Sequence, residues 1–218
     1  MRFLKITKLM ILMVSITANQ ACRSSGNIFQ VPGIIARHDW HAQEPDFNSR
    51  GEHGVYDSTT NKDGWRIYER PLREVLKTIV VHHSALPTNL GVAEIQKLHM
   101  QERGYADIGY HFVIDPDGVI FEGRNISVRG AHTSGHNTGS IGVVLLGNFE
   151  ESAPNDRQYN SLRNLIHQLA LKYKITRLAG HRDFHPDKTV CPGAELERKL
   201  PSLAAEFGMI FGTENGAP

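Results

Sequence analysis

The chain has 218 residues, of which 40% are hydrophobic, 8% aromatic and 22% charged, enough to bury one sizeable core but not two. Its 24 Lys and Arg stand against 23 Asp and Glu, a formal net charge of +1 with no basic run outside the extreme N-terminus, which argues against a phosphate-tracking surface and so against nucleic acid as partner. Two Cys, and 20 Gly and 10 Pro spread along the length, exclude a disulfide scaffold, and neither a low-complexity tract nor an internal repeat is present.

The first 21 residues place Arg2, Lys5 and Lys8 before the apolar run Leu9 to Ala18 and close on Asn19-Gln20-Ala21-Cys22, the order of an export signal. The run is about half of the roughly 20 residues that span a bilayer. Removing the segment takes the formal net charge from +1 to −2. Cys22, after a small residue, resembles the acylated Cys of a bacterial lipobox, although Asn19 stands where a Leu is usual. The expectation is an exported protein, periplasmic or held at the outer membrane by a lipid anchor at Cys22, with secretion as the alternative. Residues 22–33 read as a tether and 34–212 as the functional domain.

Val31 to Arg73 is rich in Gly, Asp, Asn and His with scattered aromatics and reads as an irregular, partly packed lead-in. Thr78-Ile79-Val80-Val81-His82-His83 is β-branched and apolar, a buried strand that runs into two histidines. Side chains alternate along a strand, so only one of the pair can face a given pocket. Val92, Ile95 and Leu98 fall at helical spacing in the segment 92–103, with Gly104 as the stop. Tyr110 to Ile114, the turn Asp115-Pro116-Asp117-Gly118, and Val119 to Glu122 predict a hairpin. Ile141 to Leu146 is apolar on both faces, as a covered central strand is. Asn155 as N-cap with Gln158 three residues on opens a helix whose Tyr159, Leu162, Leu165, Ile166, Leu169 and Tyr173 follow the 3.6 period. A short strand at 177–179 and a last helix over 194–207 complete an α/β fold: a single domain with a central mixed β-sheet flanked by about three helices.

Unusual polar residues concentrate at element ends: His82-His83-Ser84, Gly109-Tyr110-His111, Gly130-Ala131-His132-Thr133, and Gly180-His181-Arg182-Asp183 followed by Lys188-Thr189-Val190-Cys191. One His from the first strand, one from the last and a Cys thiolate would give Zn²⁺ three ligands and leave a position open, the catalytic pattern. Spacing alone does not establish such a site. His82 and His181 stand 99 residues apart, and most of the 12 histidines, His38, His41, His53, His99 and His167 among them, read as surface or hydrogen-bonded core residues. A metal-free hydrolase using Ser84 beside His83 lacks the Gly-x-Ser-x-Gly elbow that would support it.

The segments Ile79 to Ala85, Asp107 to Ile114, Phe121-Glu122-Gly123-Arg124, Arg129 to Thr133, Ser140-Ile141-Gly142-Val143 and Gly180 to Asp183, with Arg37 and Trp40 before them, resemble the zinc N-acetylmuramoyl-L-alanine amidases of the type-2 amidase and peptidoglycan recognition protein superfamily. The resemblance covers Ile34 to Leu203. It implies a zinc held by His82, His181 and Cys191 and a monomeric enzyme that hydrolyses the amide between N-acetylmuramic acid and L-alanine of peptidoglycan or muropeptides. It further implies Tyr110 as an oxyanion donor, a second donor at Thr189 or its neighbour Lys188, and a glycan or peptide groove lined by His132, Thr133 and Asn137. Some relatives carry an acidic residue after Ser-Ile-Gly; here Val143-Val144 stands there. No second Cys remains in the domain to make the disulfide of animal recognition proteins, which fits a bacterial origin. The competing reading is a non-catalytic module that only binds peptidoglycan; Cys191 argues for catalysis.

Overall fold

A computed structural model describes residues 33–213; the export segment, Cys22 and all of the tether but its last residue lie outside the described residues. One seven-stranded mixed sheet organises the described residues. Its strands are β1 (Ile34–Ile35), β2 (Thr78–His83), β3 (Phe112–Ile114), β4 (Ile120–Glu122), β5 (Ser140–Leu145), β6 (Arg177–Gly180) and β7 (Ile210–Phe211). They lie in the order β1-β4-β3-β5-β2-β6-β7, and only the β3–β4 hairpin is antiparallel. The doubly apolar segment is the central strand: every residue of β5 is buried, because both of its faces are covered.

Alternation along β2 and β5 divides the interior in two. Ile79, Val81, Ile141, Val143 and Leu145 enter the larger core with Leu162, Leu165, Ile166 and Leu169 of the long helix α3 (Asp156–Tyr173). Asn155 caps that helix as its sequence predicts, accepting a 2.9 Å hydrogen bond from the Gln158 amide. Val144 falls on the other face, in a smaller core with Val92, Ile95, Ile108 and Val113. His82 pairs in register with Val144 and shares that second face, where the candidate site lies.

The predicted helix over 92–103 is an α-helix, α2 (Val92–Lys97) in chain order after the single turn α1 (Leu72–Val75), and it continues directly as a π-helical turn over Leu98–Glu102. The predicted C-terminal helix is instead two pieces, α5 (Ala194–Glu197) and α6 (Leu200–Glu206). Pro201 stands in the first turn of α6, where its missing N–H costs nothing, whereas inside a continuous helix its ring would clash with the carbonyl four residues back. The lead-in is not wholly irregular: Ile34–Ile35 adds the edge strand β1 parallel to β4. The remaining short elements, β7 and the one-turn helix α4 (His181–Phe184), are too brief to carry a readable period. Among the described residues no helix is long and apolar enough to cross a membrane.

Candidate metal centre and cleft

β2 and β6 are parallel neighbours with Val81 opposite Gly180, so the residues that follow, His82 and His181, emerge side by side at one end of the sheet. Sequence distance is thereby cancelled by register. The loop after α4 returns Cys191 to the same place. It is closed by the Arg182 amide donating to the Cys191 carbonyl at 2.8 Å and by the Cys191 amide donating to Thr189 Oγ1 at 3.1 Å. The ligating atoms of His82, His181 and Cys191 all lie within 4.8 Å of one another, and His82 Nδ1 is 3.5 Å from Cys191 Sγ.

Burial sets the protonation of this cluster. Desolvation, helped by the neighbouring His132 and His181, holds His82 well below the ordinary imidazole range, and burial together with His185 brings His181 down to about 4. Both rings are therefore neutral at pH 7 with lone pairs to offer. Burial pushes the Cys191 thiol up to about 12; a cation is what would reverse that, since a coordinating thiol is deprotonated outright. Two neutral imidazoles and one thiol, converging at one end of a sheet, are a donor set that fits Zn²⁺. The adjacent His83 points the other way, its Nδ1 accepting from the Phe149 amide at 3.2 Å.

Tyr110 packs into the site with its ring centroid 5.0 Å from that of His82 and the two rings tilted by 55°. Burial and the proximity of Cys191 raise its phenol well above the ordinary value, so the hydroxyl keeps its proton and has it to donate. Among the described residues that hydroxyl has no hydrogen-bond partner. A cleft of about 390 Å³ opens beside the cluster, lined by His132, Thr133, Asn137, His181, Arg103 and Tyr105 among others.

The three residues expected to line a groove do border this cleft, but each is also committed internally. Asn137 Oδ1 accepts from the amides of His132 and Thr133, both at 2.8 Å; Thr133 is wholly buried; and His132 Nδ1 stands 3.1 Å from His82 Nε2. Thr189 and the exposed Lys188 line a different cavity, with Glu150, Asp183 and Phe211. Ser84 is taken up by backbone, its Oγ accepting from the Gly147 and Leu86 amides at 3.0 and 3.3 Å, which leaves no nucleophile there. His99 is a hydrogen-bonded core residue, its Nδ1 accepting from the Gly109 amide at 2.9 Å, and His38, His41, His53 and His167 are exposed.

The sequence reading passed over the support behind Tyr110. Arg124 is fully buried and forks onto both oxygens of Glu52, at 2.6 and 2.7 Å, while also donating to the Ile108, Arg129 and Asp107 carbonyls. Its backbone amide donates to the Tyr110 carbonyl at 2.8 Å. A charged residue inside the motif Phe121-Glu122-Gly123-Arg124 was the available signal; its partner, in the irregular lead-in, gave none.

Residues 72–194 match the N-acetylmuramoyl-L-alanine amidase family. Among curated proteins the chain is similar to the endolysin of Enterobacteria phage T3, 38% identical over 133 residues that span 58% of this chain and 86% of that one. Among solved structures it is similar to a Drosophila peptidoglycan recognition protein LB variant in complex with tracheal cytotoxin, with a TM-score of 0.63, 28% identity, and 78% of this chain and 93% of that one covered. It is also similar to the N-acetylmuramoyl-L-alanine amidase LysC from Clostridium intestinale, with a TM-score of 0.57, 30% identity, and 72% and 97% covered.

Proposed function

Because the chain belongs to the N-acetylmuramoyl-L-alanine amidase family, we propose that it is a zinc hydrolase that cleaves the amide between N-acetylmuramic acid and L-alanine of peptidoglycan or muropeptides. The observation that carries this is the convergence of His82, His181 and Cys191 within 4.8 Å, beside a Tyr110 hydroxyl that burial keeps protonated. Zn²⁺ held by those three side chains would supply Lewis-acid polarisation of the scissile carbonyl and acidify water at neutral pH. The chain's own groups account for orientation and charge. The cleft beside His181 receives the substrate, and the Tyr110 hydroxyl donates to the oxygen on which negative charge develops. Thr189, whose oxygen accepts from the Cys191 amide, keeps its own proton to donate; we assign it rather than the exposed Lys188 as the second donor.

In the same reading residues 34–212 are the catalytic domain and act outside the cytoplasm, exported by residues 1–21 and tethered through 22–33, with acylation at Cys22 as the anchor. The support is the order of charge, apolar run and Cys in the sequence. Recognition without cleavage is the second reading, favoured by likeness to a recognition protein in complex with tracheal cytotoxin; it would need the cleft and not the thiol.

The test is mass spectrometry of products from purified peptidoglycan and a defined muropeptide, with and without a zinc chelator. Stem peptides beginning at L-alanine, lost on chelation, restored by Zn²⁺ and absent with Cys191→Ser, are the expected result. No cleavage by the zinc-loaded protein would leave the binding reading, and full activity of Cys191→Ser would refute the metal assignment.

A further inference from the structure

We infer that His132 is a positioning residue for His82: it accepts a hydrogen bond from His82 Nε2–H and thereby fixes the tautomer that turns the Nδ1 lone pair of His82 towards Cys191 and His181. The inference rests on the metal reading above and extends it to a group that touches no metal.

The geometry is a directional chain. His82 Nδ1 faces Cys191 Sγ at 3.5 Å, so Nε2 is the nitrogen turned away from the cluster, and it meets His132 Nδ1 at 3.1 Å. On the far side of the second ring, His132 Nε2 lies 3.4 Å from Ser140 Oγ. The Ser140 hydroxyl has its own acceptors, the carbonyls of His136 at 2.8 Å and Asn137 at 3.1 Å, so its oxygen is left to accept. These contacts are mutually consistent with His82 Nε2–H donating to His132 Nδ1, His132 Nε2–H to Ser140, and Ser140 O–H to backbone. Thr133 Oγ1, 2.9 Å from His132 Nδ1 and 3.5 Å from His82 Nε2, is in this arrangement a second donor to the same nitrogen, so His132 Nδ1 accepts from His82 and Thr133 together. A ligating histidine whose other nitrogen is held in this way has both its tautomer and its ring orientation set before metal arrives.

A second, independent observation is that the backbone has been cleared for this ring. A Cβ on Gly142, in the middle of the central strand, would stand 2.5 Å from His132 Cδ2, and one on Gly130 would stand 2.4 Å from the same atom. A glycine inside a strand costs stability unless something must approach its backbone closely; here the imidazole of His132 does so from one side of β5, bounded by Gly130. His132 is only 8% exposed, so the slot holds the ring rather than presenting it.

The first measurement is two-bond ¹H–¹⁵N correlation spectroscopy on the purified, ¹⁵N-histidine-labelled protein free of metal. Nε2–H tautomers for both His82 and His132 are expected; an Nδ1–H tautomer at His132 overturns the inference, with no variant needed. The second is zinc affinity by chelator competition, with the d–d spectrum of the Co²⁺-loaded protein, for two variants. His132→Leu removes the acceptor and should weaken zinc by about 10–100-fold and move the Co²⁺ bands. His132→Asn puts an amide oxygen near the Nδ1 position and should restore affinity and spectrum most of the way. Equal loss in both, or none in His132→Leu, overturns the inference while leaving the metal reading intact. A wild-type chain that takes up no zinc removes the metal reading itself, and this one with it.

Discussion

Replacing Arg124 by Met tests how much the buried Arg124–Glu52 pair contributes to stability. The guanidinium has no exposed surface, forks onto Glu52 at 2.6 and 2.7 Å, donates to carbonyls of Ile108, Arg129 and Asp107 at 2.8, 2.9 and 3.2 Å and lies 4.8 Å over the Trp65 ring. Met fills comparable volume but leaves a buried carboxylate uncompensated and three carbonyls short of a donor. Breaking a buried pair by removing one partner costs about 3–5 kcal/mol. For a domain of this size that is a fall in melting temperature of about 6–20 °C, read by calorimetry or circular dichroism. The double variant Glu52→Gln/Arg124→Met removes the orphaned charge and should melt higher than Arg124→Met alone, a coupling that a double-mutant cycle isolates. An Arg124→Met protein within about 1 kcal/mol of the wild type would refute the argument, because it would mean that Glu52 is solvated or protonated at no cost.

Tyr110→Phe removes one donor to the developing oxyanion and should lower kcat by about 10²–10³-fold with zinc content unchanged by metal analysis, whereas Lys188→Ala should leave kcat near the wild-type value; the reverse ranking would move the oxyanion role to the loop. Glu197 carries a pH dependence. Burial, then the like charge of Asp183, raises its carboxyl to about 7 against the opposing Arg182. A folded value above the unfolded one near 4.5 gives stability that is complete below about pH 4.5 and lost as pH rises through about 7. In metal-free protein Glu197→Gln should therefore match the wild type at pH 4.5 and exceed it at pH 8 by about 1–2 kcal/mol once solvent screening is allowed for, as read by urea denaturation at the two pH values; a constant difference across that range would show that Glu197 is not the group responsible.

The elements that were legible in the sequence are those with a period. β2, β5 and α3 are long enough for alternation or a 3.6 repeat to declare them, and the hairpin announces itself by Asp115 to Gly118, with Gly118 at φ +80° as a tight turn requires. β1 and β7, two residues each, exist because a neighbouring edge offers unpaired backbone, a property of the neighbour and not of their own residues. The break between α5 and α6 was written in Pro201, which the expectation of one helix overrode.

The candidate site divides in the same way. Residue types suggested a His, His and Cys site at the strand ends, since an imidazole or a thiol keeps its chemistry wherever it stands in the chain, but it was the family resemblance of the motifs that singled out His82, His181, Cys191 and Tyr110. Which of these side chains meet was decided by the parallel register that sets Val81 against Gly180, because two residues 99 positions apart in sequence become neighbours only when strands pair. The same is true of the supports, Glu52 under Arg124 and His132 behind His82: a hydrogen bond is a relation between two positions in space, and a chain read one residue at a time carries only its halves.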